Sequence, residues 1–235
     1  MLGAEQNIIG VIRMASYKYP RAFVTGCDTK TEWQLKWFLK NYVKHNTLPI
    51  ILADFGMSSE TRAWAYQVSE FADVIDIPKQ RANGWFLKPK TMQLVDSHET
   101  VWLDTDIHVL GDLSGIFKFI ENNKIGMVED KPWSKRRGET WHNSGVIAIR
   151  DKPTILNEWV RSCIDNPKQG DQEVLHEILK ESPLKRISNI TDLPNIYNWL
   201  RIQLLDGEDS PNKLCMHWTG LKGNMQIERM IYNEQ

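Results

Sequence analysis

The sequence predicts an α/β fold with a mixed, mostly parallel central sheet that is flanked by helices. Short apolar runs of four or five residues alternate along the chain with segments whose apolar residues recur at helical spacing. Strands that alternate with helices form βαβ units, and their crossover helices cover both faces of a parallel sheet. This alternation is the main basis of the prediction.

Composition limits the class of protein. The 235 residues fit a single domain, 1–235, with 29 Lys+Arg against 30 Asp+Glu. This balance argues against a main function in nucleic-acid binding, which leaves a strongly basic signature. The 3 Cys form no CxxC pair, and no uncharged apolar stretch reaches about 18 residues. We therefore expect a soluble, cytoplasmic protein without a transmembrane segment.

The predicted elements follow in chain order. Strands are predicted at short apolar runs, namely 22–25, 49–53, 74–77, 100–103, 125–128 and 146–149. Helices are predicted from spacing and capping residues at 35–42 (after a capping box of Thr29 and Glu32), 58–71, 90–95, 113–120, 159–163 and 174–179. From about residue 192 the pattern is irregular, so we expect long loops that wrap back over the site.

Polar residues stand at the carboxyl ends of the predicted strands. They are Thr25 and Asp28 after the first strand, Asp54 after the second, and Asp104 and Asp106 after the fourth. Ligands of open α/β sheets bind at the carboxyl ends of the strands. We therefore predict one crevice there, lined by acidic and small polar side chains.

The sequence VWLDTDI at 101–107 is the sharpest local signal. Asp104 and Asp106 are two residues apart at a strand end and point to the same side. Two such carboxylates can share one hard divalent cation, Mg²⁺ or Mn²⁺, which would neutralise a diphosphate. Two solvated loop aspartates are the alternative, and the position after a strand leaves both interpretations open.

The sequence LCMHWTGLKG at 214–223 is the second signal. A neutral imidazole of His217 can complete the protein ligands of the metal. Gly220 and Gly223 let the backbone approach a ligand closely, and Lys222 supplies a positive charge for a phosphate. Taken alone, His217 is more often a packed structural residue, but together with the earlier Asp pair it fits a metal and phosphate site.

The order of these motifs resembles glycosyltransferase family 8 and related nucleotide-sugar enzymes of the GT-A fold. The matching segments are FVTGCD at 23–28, IILADFGMS at 50–58, the strand and Asp pair within 101–113, WHNSGVIAI at 141–149, GDQE at 170–173 and HWTGLK at 217–222. Ser144 stands where the family has Ala, and the terminal motif is one residue shorter. The resemblance implies one GT-A type domain, with a Rossmann-like nucleotide-binding half at 22–110 and an acceptor half with a C-terminal wrap at 111–235.

The resemblance also implies roles for the residues at the metal and the nucleoside. Asp104 and Asp106 would bind Mn²⁺ or Mg²⁺, with His217 as the third protein ligand. Thr25 and Asp28 would lie beside the base or the ribose of the nucleotide.

Further roles concern the diphosphate and the donor sugar. Gly220 and Lys222 would contact the diphosphate. Asp171 and Gln172 would lie at the donor sugar, and Asn143 would lie near the sugar or its leaving oxygen.

Two basic features carry weaker signals. Lys88 either reaches the donor phosphates, as a basic residue of this region does in the family, or is a solvated lysine at a helix start. The basic, Trp-containing segment 131–138 is expected to be a solvated loop, with a lid or an acceptor-phosphate contact as the alternative.

The sequence therefore predicts a metal-dependent glycosyltransferase of the hexosyltransferase type. It would move a sugar from a nucleotide-sugar donor, UDP-linked by the resemblance, to a hydroxyl of a glycan or another acceptor, with retention of configuration. One alternative is a non-catalytic homologue that binds carbohydrate or nucleotide sugar. Another is a phosphohydrolase with Asp104 as nucleophile, although that motif normally lies on the first strand.

Overall fold

The computed structural model describes residues 17–78 and 84–233 of the chain. The strands are β1 Tyr19–Cys27, β2 Ile50–Asp54, β3 Phe71–Asp76, β4 Ser97–Leu103, β5 Ile107–Val109, β6 Ile125–Glu129, β7 His142–Arg150, β8 Ile190–Asp192, β9 Trp199–Leu200 and β10 Cys215–His217. The α-helices are α1 Leu35–His45, α2 Ser59–Gln67, α3 Lys88–Leu94, α4 Lys131–Arg137, α5 Thr154–Asp165, α6 Asp171–Leu179, α7 Pro183–Asn189, α8 Arg201–Leu205 and α9 Gly220–Asn233.

Seven strands form the central sheet in the order β3-β2-β1-β4-β7-β6-β8. β7 is antiparallel to its neighbours β4 and β6, and every other neighbouring pair is parallel. The predicted α/β fold with a mixed, mostly parallel sheet is therefore confirmed. The reversed direction of β7 has a functional consequence, because the start of β7 lies at the edge of the sheet where β1, β2, β4 and β6 end.

Both faces of the central sheet are buried. Alternate residues of a strand point to opposite faces, and neighbours on β1 divide accordingly: Phe23 packs in one hydrophobic cluster, Val24 in the other. Trp102 on β4 is 2% exposed and belongs to the cluster of Val24, whereas Leu103 belongs to the cluster of Phe23. This two-sided burial explains why the sequence shows continuous apolar runs rather than alternation.

Three strands form a second, smaller sheet in the order β5-β10-β9. β10 is antiparallel to β5, with His217 opposite Ile107, and parallel to β9. The chain immediately before β5 carries the Asp pair, so this pairing brings a residue near the C-terminus to the end of β4. The second sheet thus joins the two strongest sequence signals.

Several predicted boundaries were wrong. The helix predicted at 58–71 ends at Gln67, because the chain turns into β3 at Phe71. The capping box of Thr29 and Glu32 does not form. Oδ1 of Asp28 accepts the backbone N–H groups of residues 30 and 31 instead, and Glu32 accepts the N–H of residue 58.

Two segments predicted as loops contain helices. Segment 131–138 is largely α4, which the side chain of Asp130 caps by accepting the N–H of Trp133. The region after residue 192 includes two strands of the second sheet and the 14-residue α9. The irregular sequence pattern favoured loops here, but Ile227 of α9 packs into the core at 0% exposure and fixes the helix there. Within the described residues, no helix is both long and apolar enough to cross a membrane.

Candidate active site

Asp104, Asp106 and His217 form a cluster at the carboxyl end of β4. One ligand atom from each side chain lies within 4.8 Å of those of the other two. Nε2 of His217 is 3.0 Å from Oδ1 of Asp106 and 3.9 Å from Oδ2 of Asp104. The turn after β4 presents both carboxylates, and the pairing of β10 with β5 supplies the imidazole.

The donor set of this cluster fits a divalent cation. Oδ1 of Asp106 is buried and accepts no hydrogen bond from the described residues. Two carboxylates and an imidazole are ligands that Mn²⁺ and Mg²⁺ accept. Burial lowers the pKa of His217, but the negative charges of Asp106 and Asp104 outweigh this effect, so the pKa is raised. The carboxylates therefore attract a positive charge at the place where a metal would lie.

Lys88, at the start of α3, is buried at 4% exposure. Its ammonium lies 3.2 Å from both carboxylate oxygens of Asp104 and 3.4 Å from Oδ2 of Asp171, and it donates to the carbonyl oxygen and the hydroxyl of Ser144. Burial alone would lower the pKa of Lys88. The two carboxylates together have the larger, opposite effect, so the pKa is raised. The alternative of a solvated lysine is wrong, and a contact to phosphate stays a prediction.

Asp171 and Gln172 begin α6, whose N-cap is Gly170. Burial raises the pKa of Asp171, and the charge of Lys88 offsets this only in part. Oε1 of Gln172 accepts the side-chain N–H of Asn143 and the backbone N–H of Ser144, both over 3.2 Å. These residues meet because β7 starts at the sheet edge where α6 begins, so the structure brings the predicted sugar-site residues together.

Two cavities meet at the Asp pair. One, of about 460 Å³, is lined by Gly26, Asp28, Thr31, Gln34, Phe55, Lys88, Trp102, Asp104, Thr105, Asp106, Gly220, Leu221 and Asn224. The other, of about 550 Å³, is lined by Phe86, Asp104, Asp106, Asp130, Pro132, Trp133, Asn143, Ser144, Gly145, Gly170, Asp171, Gln172, Glu173, Leu200, Ile202, His217, Thr219 and Gly220. A molecule with two ends can thus extend from one cavity to the other past the candidate metal centre.

Of the residues predicted to contact the nucleotide, some line the cavities and others do not. Asp28 lines the first cavity, and Gly220 lines both. Thr25 is fully buried within β1, and Lys222 is exposed on α9; neither is among the described residues that line the two cavities. Lys88, whose contact to the donor phosphates was one of the weaker predictions, also lines the first cavity.

Sequence reasoning missed three residues of this site. Asp130 follows the apolar strand β6, and the rule that selected Asp104 would also have selected it. Phe55 lies over the first cavity, with its ring centroid 6.0 Å from that of Trp102. Asn198 bonds to His217, but it lies in an irregular segment, and no local pattern marks it.

Comparisons with known proteins identify the class of fold. The glycosyltransferase GlyE of Streptococcus pneumoniae TIGR4 is similar at a TM-score of 0.62 and 21% identity, over 85% of this chain and 55% of that chain. The galactosyltransferase LgtC, solved with donor and acceptor sugar analogs, is similar at 0.61 and 15% identity, over 90% and 94%. The bifunctional glycosyltransferase WbbM is similar at 0.64 and 12% identity, over 99% and 53%.

These similarities confirm a GT-A type glycosyltransferase fold for this chain. The chain spans only about half the length of GlyE and WbbM, with 55% and 53% of those chains covered. No protein-family model and no curated protein matches the sequence.

Proposed function

We propose that the chain is a metal-dependent glycosyltransferase of the hexosyltransferase type, which transfers a sugar from a nucleotide-sugar donor to an acceptor hydroxyl. The observation that carries the proposal is the position of Asp104, Asp106 and His217 at the junction of two cavities. A nucleotide sugar has its diphosphate between two bulky ends, and this is the shape that two cavities joined at a cation site accommodate.

The three ligand residues would hold Mn²⁺ or Mg²⁺. Such an ion supplies charge neutralisation of the diphosphate, the leaving group of the reaction. Lys88 adds a buried positive charge at the same place and, by donating to both carboxylate oxygens of Asp104, holds that side chain at the junction. Gly220 has a φ of 72°, which suits Gly, and it turns the chain into α9 beside both cavities.

The first cavity would hold the nucleoside. Oδ1 of Asp28 is occupied by Lys30 and Thr31, whereas Oδ2 takes part in no hydrogen bond among the described residues. That oxygen can accept an N–H of uracil, and Phe55 offers an aromatic face to the base. We therefore propose a UDP-linked donor.

The second cavity would hold the sugar and the acceptor. Asn143, Asp171 and Gln172 line it, and the amide of Gln172 is not basic, so it cannot deprotonate an acceptor. Asp171 can accept a proton, because burial raises its pKa and the ion pair with Lys88 offsets this only in part. These two residues therefore do not decide between inversion and retention, and we propose retention of configuration in keeping with the family that the sequence resembles.

A phosphohydrolase is disfavoured by the surroundings of Asp104. Its oxygens accept hydrogen bonds from Nε1 of Trp102, at 2.6 Å, and from the ammonium of Lys88. A carboxylate held in this way is a weak nucleophile. A non-catalytic homologue would bind sugar nucleotides without turning them over, so one assay distinguishes this alternative from the enzyme.

The test measures release of nucleoside diphosphate from a panel of UDP-, GDP- and CMP-linked sugars, with Mn²⁺ and with excess chelator. We expect release from a UDP-sugar that stops with chelator, and loss of release in Asp106→Asn. Asp206→Asn is the matched control, because Asp206 is exposed and is not among the described residues that line the two cavities. Full release in chelator contradicts metal dependence, and binding of sugar nucleotides without release supports the non-catalytic homologue.

A further inference from the structure

Asn198 is fully buried between His217 and Asn143. Its Oδ1 lies 2.9 Å from Nδ1 of His217, and its Nδ2 donates to Oδ1 of Asn143 over 2.9 Å. We propose that Asn198 is a positioning residue that holds the imidazole of His217 with its proton on Nδ1, so that Nε2 presents its lone pair to the metal site. The inference rests on the part of the proposed function that assigns His217 as a metal ligand.

A backbone group fixes the orientation of these amides. The N–H of Gly145 can only donate, and it donates to Oδ1 of Asn143 over 2.9 Å. An amide oxygen cannot donate, so the atom of Asn198 that faces it is the nitrogen. The oxygen of Asn198 then faces His217, and Nδ1 of that ring carries the hydrogen. In a neutral imidazole the other nitrogen, Nε2, has the lone pair.

A second backbone group leads to the same assignment. The N–H of Ser144 donates to Oε1 of Gln172, and this oxygen must therefore accept from Nδ2 of Asn143. Nδ2 of Asn143 also donates to a carboxylate oxygen of Asp130 over 3.2 Å. Both ends of the Asn143 amide therefore have a fixed orientation. Because its oxygen faces Asn198, the amide of Asn198 has a fixed orientation as well.

Packing prevents the imidazole from turning away. His217 is 3% exposed, and a Cβ at residue 145 would lie 2.1 Å from its Cε1.

A metal-binding His commonly donates its other N–H to an oxygen acceptor, and removing that acceptor costs about 10–100-fold in metal affinity. Here the acceptor is a neutral amide, which adds no further negative charge beside Asp104, Asp106 and Asp171.

The test is the Mn²⁺ affinity of the full chain, measured by electron paramagnetic resonance of free Mn²⁺ without any substrate. Asn198→Leu removes the acceptor at similar volume, and we expect affinity to fall by at least about tenfold. Asn198→Asp keeps an acceptor for Nδ1–H but loses the donor to Asn143. We expect it to bind Mn²⁺ within about threefold of the parent, with a lower melting temperature in chelator. Asn41→Leu is the control, because Asn41 is buried and bonds to the carbonyl oxygen of Trp37 instead.

Parent-like affinity in folded Asn198→Leu overturns the proposal. Should that variant fail to fold, Asn198→Asp decides: retained affinity supports the proposal, and a tenfold loss overturns it. The measurement does not depend on turnover. A parent protein that binds Mn²⁺ but releases no nucleoside diphosphate contradicts the proposed function and leaves this inference standing. A parent protein that binds no Mn²⁺ overturns the inference.

Discussion

At the scale of single residues, the space beside Gly145 decides where His217 can lie. A Cβ at this position would lie 2.1 Å from Cε1 and 2.5 Å from Nδ1 of the imidazole. The ring is buried and bonded to Asn198, so it can yield only by leaving the Asp pair. The role of this Gly is close approach, which no side chain permits.

We therefore predict that Gly145→Ala lowers Mn²⁺ affinity by at least about tenfold, since the ligand His217 is displaced. Gly126→Ala on β6 is the control, because its Cβ would meet the side chain of Leu193 at 3.0 Å, away from the Asp pair. Both variants should lose stability, but only Gly145→Ala should lose metal affinity. Equal affinities in the two variants would show that His217 is not a ligand.

Lys88 illustrates how much of the site lies beyond sequence patterns. The sequence places it before the strand of the Asp pair but does not reveal whether it is solvated. In the structure one ammonium serves Asp104, Asp171 and Ser144. The hydroxyl of Ser144 accepts from it, at the position where the family that the sequence resembles has Ala. Such an arrangement depends on three segments that are far apart in the chain, so no local pattern predicts it.

At the scale of elements, prediction succeeded where the apolar pattern alone determines structure. Six strands of the central sheet were located because they contain short apolar runs, such as that of β2, which is buried throughout. The seventh, β8, was not predicted. Prediction failed where tertiary contacts decide. β9 and β10 have only 2 and 3 residues: β10 pairs with β5, and β9 pairs with β10. The 14-residue helix α9 lies in the segment that was predicted as loop.

The same difference explains the candidate site. The Asp pair carries a local signal, and the helix start at Asp171 was predicted from the family resemblance. The acceptor Asn198 was missed, because its role comes from its position in space beside His217.

Helix α9 is anchored to the core mainly through Ile227. This side chain is 0% exposed and packs in the cluster that also contains Phe38. Asn224 adds a hydrogen bond from Gln34, whose Oε1 in turn accepts from Thr105 between the two carboxylates of the Asp pair. α9 therefore supports both the core and the turn that presents the Asp pair.

We predict that Ile227→Ala lowers the free energy of unfolding by about 2–5 kcal/mol, because it leaves a cavity in the core. Tyr232→Ala on the same helix is the control: Tyr232 is 78% exposed, and its loss should change stability by less than about 0.5 kcal/mol. Urea unfolding followed by tryptophan fluorescence measures both. Equal effects of the two substitutions would mean that α9 is not anchored through Ile227.

At the scale of the whole molecule, three buried thiols make the fold sensitive to alkaline pH. Cys27, Cys163 and Cys215 are each at most 1% exposed and unpaired. Burial raises the pKa of all three thiols far above the usual value. Above pH ~8.5 the unfolded chain loses these protons while the folded chain keeps them, so stability falls as pH rises.

Each thiol lowers the free energy of unfolding by about 1.4 kcal/mol per pH unit in this range. Lys152 acts in the opposite direction, because burial lowers its pKa to about 8, and the unfolded chain then binds the additional proton. With three thiols against one lysine, the free energy of unfolding falls by roughly 3 kcal/mol per pH unit between pH 9 and 10.

Urea unfolding at several pH values measures this slope. Cys163→Ala should reduce it by about 1.4 kcal/mol per pH unit, whatever that substitution costs at neutral pH. Stability that stays constant from pH 8 to 10 would show that the thiols do not remain protonated in the folded chain.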